Sequence, residues 1–163
     1  MKKRARLAKR GFAKRVRRVH RSRLYPARVW RLKPDPALPY VVELRVSRNN
    51  RCMQQEQIRF GDNKPDPRAA GSCYFWFSTT TRDERPKLRA GLIVARILLN
   101  VHQLRDQPSE LPAHECTHAG IAWARYRRAD VFETGGGEEV LAYAVGRLVV
   151  QANRVLYAMN AFP

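Results

Sequence analysis

His114-Glu115-Cys116-Thr117-His118 places two imidazoles four residues apart, with a carboxylate directly after the first. On a helix, positions i and i+4 lie on one face a turn apart, so both rings can aim a nitrogen at one ion. Glu115, one residue beyond the first ligand, is placed to reach a water at that ion rather than the ion itself, which is the position of a general base. A hydrolytic zinc site keeps three protein ligands and one position for water, so a third donor has to come from elsewhere. Glu138 and Glu139, 20 and 21 residues after His118, are the obvious suppliers. The chemistry such a set supports is metal-assisted hydrolysis, with peptide bonds as the natural substrate class. At the frequencies of His and Glu in this chain, chance gives the HExxH pattern about 0.5% of the time.

Two helices have to carry these groups. One is expected over 111–128 and the second over 138–161, separated by the break at Thr134-Gly135-Gly136-Gly137. Ala113, Cys116, Thr117 and Ala119 around the motif are uncharged, and Leu111, Ala119, Ala122, Trp123 and Tyr126 can form an apolar face. Upstream, 40–46, 52–60 and 72–79 read as strands; the first two flank the turn-prone Ser47-Arg48-Asn49-Asn50 and would form a hairpin. Residues 61–67 read as a loop. The β-branched content of 91–101 favours a strand, whose edge could pair with an extended substrate. The plan is α+β, a small antiparallel sheet followed by two helices.

HECTHAG followed by GGGEEVLAYAVGRL resembles the short gluzincin-type metallopeptidases of bacterial and phage genomes. The second segment is similar to the glutamate helix of ImmA/IrrE-like peptidases, where an E-x-x-A pattern presents the third ligand. The resemblance spans about 91–150. It implies a minimal zincin-like domain, Zn2+ held by His114, His118 and Glu139, and Glu115 as the catalytic base. On that pattern Ala142 follows Glu139 by three residues and Glu138 is its neighbour. The chain departs from the pattern at Tyr143, which stands where such families often have Asn or Asp to orient a ligand. Ile121 and Ala124 replace the Gly and third His of the longer metzincin motif, which excludes that class. Tyr143, His102 and Tyr126 are candidates for an oxyanion partner.

The net charge of +18 is concentrated at one end: residues 1–33 hold 15 of the 32 Lys and Arg, and the first acidic residue is Asp35. The remaining 17 basic and 14 acidic residues leave +3 on 34–163. The chain therefore reads as a basic N-terminal arm and linker over 1–36 and a metallopeptidase-like domain over 37–163. An Arg-rich arm attracts phosphates without reading sequence, so nucleic acid is the expected partner of residues 1–33, with Phe12, Tyr25 and Trp30 available for stacking. Targeting of a peptidase to nucleic acid resembles SprT-like enzymes in logic. No apolar run approaches the length of a membrane span. Three cysteines, Cys52, Cys73 and Cys116, with no CxxC spacing argue against a disulfide framework or a cysteine-ligated zinc, and a cytoplasmic setting is expected. The competing expectation is a non-enzymatic nucleic-acid-binding or inhibitory protein, of the kind phages encode, with a structural or vestigial HExxH site.

Overall fold

The computed structural model describes residues 27–66, 68–75, 92–105, 108–127 and 136–161. The arm residues 1–26, with Phe12 and Tyr25, and the 76–79 portion of the expected third strand lie outside the described residues. Along the chain come strand β1 (Arg28–Leu32), strand β2 (Tyr40–Ser47), helix α1 (Asn50–Arg59), strand β3 (Gly71–Phe75) and strand β4 (Leu92–Asn100). A single turn, α2 (Val101–Leu104), then leads to the long helices α3 (Glu110–Arg127) and α4 (Gly137–Ala158).

The four strands form one sheet in the order β1-β2-β4-β3. β1 runs antiparallel to β2 and β3 antiparallel to β4, but β2 and β4 are parallel, with a register irregularity at Val41/Val42. The sheet is thus mixed, not antiparallel as expected. The cause is local: residues 50–59 are a helix, so β2 does not reverse directly into a paired strand; the return leg is β3, antiparallel to β4, which leaves β2 and β4 parallel and adjacent. Asn49 caps that helix, its Oδ1 accepting from the Cys52 amide at 2.9 Å. Within it Met53, Glu56 and Gln57, spaced i, i+3 and i+4, are buried against the sheet.

β2 alternates between two environments, as a strand covered on both faces must. Val42, Leu44 and Val46 enter the main core with Ile97 and Leu99 of β4. Cys116, Ala119, Ala122 and Trp123 of α3, and Ala144, Leu148, Ala152 and Leu156 of α4, close that core from the helical side. The small residues Ala144 and Ala152, alternating with Leu148 and Leu156, give α4 a seam with the four-residue period of a helix face.

On the opposite face Glu43 and Arg45 lie under α1. Glu43 Oε1 accepts from Arg45 Nε at 2.6 Å and Arg96 Nε at 2.8 Å, and Arg45 Nη1 donates to Glu56 Oε2 at 2.8 Å. The Phe60 ring sits beneath the Arg45 and Arg96 guanidinium groups, 5.1 and 4.8 Å from its centroid.

Residues 28–32, which the charge pattern assigns to the arm, are an integral edge strand. Trp30 and Leu32 carry the apolar side that packs on the core, and β1 pairs with β2 along its whole length. The folded unit therefore starts before residue 37.

Candidate metal centre

α3 presents His114, Thr117 and His118 to the outside and buries Cys116, Ala119 and Trp123 in the core. The two imidazoles converge: His114 Nε2 and His118 Nε2 are 3.1 Å apart, with the rings nearly perpendicular at 83°. Two nitrogens that each lie about 2.0–2.1 Å from a tetrahedral zinc stand roughly 3.3 Å from one another, so this pair fits a single ion. The same separation serves an N–H···N hydrogen bond between the rings. Thr117 donates its hydroxyl to the Ala113 carbonyl one turn back at 2.9 Å.

Glu115 points along a third direction, toward the edge strand, and is 5% exposed. Its side chain lies over the backbone of Gly71 at the start of β3: a Cβ at that position would stand 2.8 Å from Glu115 Cγ and 3.0 Å from Oε1. Burial raises the carboxyl above the usual carboxylate range, opposed in part by the charge of His114. Cys73 and Cys116 flank the same region, and burial, with the Glu115 charge, pushes both thiols up to about 12. They sit there as small apolar groups and not as nucleophiles or ligands. Gly71 had no signal in the sequence beyond following a loop, because its role is set by a partner 44 positions away on another element.

α4 carries Glu138 and Glu139, the residues expected to include the third donor. Its first residues follow Gly136, whose φ of 121° is open to glycine and strained for other residues, so a glycine at this position suits the entry to the helix. α3 and α4 are in close contact at Gly120, where an added Cβ would lie 2.5 Å from Val145 Cγ2 and 3.4 Å from Leu141 Cδ1. Glu138, three residues before Leu141 and seven before Val145, shares the α4 face that meets α3. Glu139 is rotated about 100° from it, toward Tyr143. Both glutamates are exposed, and among the described residues no group of three or more His, Cys, Asp or Glu is gathered closely enough to hold a metal. The structure thus brings together His114 and His118, with Glu115 beside them, and leaves the glutamate pair at the head of the neighbouring helix.

The oxyanion candidates separate. Tyr126 packs edge-on against Tyr40 at the base of α3, with centroids 5.6 Å apart, as an aromatic of the core margin. His102 is exposed in α2. Tyr143 is 65% exposed on the outer side of α4. The strand over 91–101 is present as β4, but it lies between β2 and β3, so it has no free edge for a substrate. The edge beside the histidine helix belongs to β3.

No helix among the described residues is long and apolar enough to cross a membrane. Comparison of the chain with protein-family models, with curated proteins and with solved structures finds no match, and the chemistry of this centre is accordingly read from its own geometry.

Proposed function

We propose that the protein is a zinc-dependent peptidase in which His114 and His118 bind the metal and Glu115 is the general base. The observation that supports it most directly is the convergence of the two Nε2 atoms at 3.1 Å next to a buried carboxylate. The third ligand comes from the Glu138-Glu139 pair. The sequence pattern favours Glu139, while the face shared with Leu141 and Val145 favours Glu138.

A zinc ion held by His114, His118 and one of Glu138 and Glu139 would supply Lewis-acid polarisation of the scissile carbonyl and would lower the pKa of water to about 7. Glu115 takes the proton of the attacking water at a carboxylate oxygen and hands it to the leaving amine. Its burial against Gly71 keeps bulk water from the carboxylate and fixes the side chain along one direction. An extended substrate aligns by adding to β3, whose outer side has no partner strand among the described residues.

Elemental mass spectrometry and cleavage of an unfolded protein substrate test this reading together. About one zinc per chain, lost in His118→Ala and retained in Glu115→Gln, with hydrolysis lost in both, is the expected result. Comparing Glu138→Gln with Glu139→Gln identifies the ligand, because only one of them should release the metal. Absence of zinc from the wild-type protein would overturn the hydrolase and favour the non-enzymatic reading, which draws support from the ungathered glutamates.

A further inference from the structure

Between β1 and α4 runs an open groove of about 760 Å³ that the peptidase chemistry does not use. Its lining carries Arg31 and Lys33 on one wall and Arg147 and Arg154 on the other, with no acidic residue. All four cations are exposed, and no ion pair among the described residues engages them. Four uncompensated charges around one concavity repel each other, an arrangement that a bound polyanion relieves.

The walls are held at a fixed spacing. The Gln151 side chain accepts from the Lys33 amide at 3.0 Å and donates to the Lys33 carbonyl at 2.9 Å, so it mimics a neighbouring strand and ties the end of β1 to the middle of α4. The floor is Gly146. A Cβ there meets nothing within 4 Å, so the glycine is not required by protein packing, although glycine weakens a helix interior. What it provides is depth. Tyr143, 65% exposed, stands one turn before Arg147 and offers a flat aromatic face at the same groove.

We propose that this groove binds single-stranded nucleic acid, with phosphates held by Arg31, Lys33, Arg147 and Arg154 and a base stacked on Tyr143. Three of the four cations are arginines, whose planar fork matches phosphate oxygens. Arg147 and Arg154, seven residues apart, are about 10.5 Å apart along the helix, a span of two to three nucleotides. A duplex hides the base faces that Tyr143 would need, whereas a single strand offers them. The basic residues 1–26 are excluded as occupant by their charge, as is a second copy of the same cationic groove. This inference does not rest on the zinc site.

The test uses full-length protein and a fluorescein-labelled oligothymidylate, followed by anisotropy over a range of salt concentrations. The paired substitution Arg147→Gln and Arg154→Gln is expected to weaken binding by roughly tenfold and to reduce the slope of log K against log salt by about 1.4. Gly146→Leu places its Cβ in open space and projects the side chain into the groove, so it should weaken binding while raising Tm, which separates loss of the site from loss of the fold. Ultraviolet crosslinking of the wild-type complex should place the oligonucleotide on the peptide that contains Tyr143. Unchanged affinity and salt slope in all these variants, with crosslinks confined to residues 1–26, would overturn the proposal. So would tighter, groove-dependent binding to polyglutamate or to phosphatidylserine vesicles, since either would assign the surface to an acidic peptide or a lipid headgroup.

Discussion

A glycine and a carboxylate decide how the centre is set up. The Glu115 side chain occupies space that a side chain on Gly71 would need, with Cγ only 2.8 Å from where a Cβ would stand. Gly71→Ala should therefore displace the carboxylate and lower hydrolysis by about tenfold or more, with zinc stoichiometry unchanged; loss of metal instead would show that Gly71 supports α3 as a whole. Gly120 has the corresponding role between helices. Its added methyl would lie 2.5 Å from Val145 Cγ2, and a β-branched side chain cannot swing away at low cost. Gly120→Ala is expected to destabilise by about 1–3 kcal/mol in chemical denaturation, and Val145→Ala in the same chain should recover part of that loss.

At the scale of elements, the helix that carries the histidines and the helix that follows it were legible from their periodicity and from the glycine break between them. Residues 50–59 were not. Asn49-Asn50 was read as a turn, yet Asn49 is a helix cap, and RCMQQEQIRF contains one β-branched residue, Ile58, among good helix formers. Asn49→Ala should cost about 1 kcal/mol, measurable as a shift in the urea midpoint. β1 was hidden for a different reason: its alternation is carried by Trp30 and Leu32 amid arginines that belong electrostatically to the preceding segment. Sheet order was out of reach as well, because β2 and β4 become parallel neighbours only when residues 50–59 leave the sheet as a helix and β3 makes the return leg on the far side of β4.

At the scale of the whole molecule, the described residues form a sheet covered on both faces, and its two layers are held by different physics. One face is an apolar core. The other is an ionic layer in which burial would raise the Glu43 carboxyl, but hydrogen bonds and charge from Arg45 and Arg96 together outweigh it and hold the group below its usual 4.5. A group whose pKa is depressed on folding contributes stability above its unfolded value and loses it as pH falls through the folded one. Thermal stability should accordingly fall on acidification below about pH 4.5, and Glu43→Ala should flatten that fall while costing about 3 kcal/mol near neutrality, because Arg45 and Arg96 each lose one carboxylate contact, Arg45 keeping only that to Glu56. Calorimetry across pH checks both.

The two borders of the sheet are also unlike. β1 carries Arg28 and Arg31, both exposed, and charge of this kind keeps a border strand from adding a like strand. β3, Gly71-Ser72-Cys73-Tyr74-Phe75, has no charged side chain at all and ends in a Phe that is 41% exposed. The same lack of charge that suits β3 to the proposed substrate strand makes it, among the described residues, the weak point against self-association. Concentrated protein should assemble through β3 and not through β1, and a peptide competing for that border should act as an inhibitor of cleavage and an agent of solubility at once.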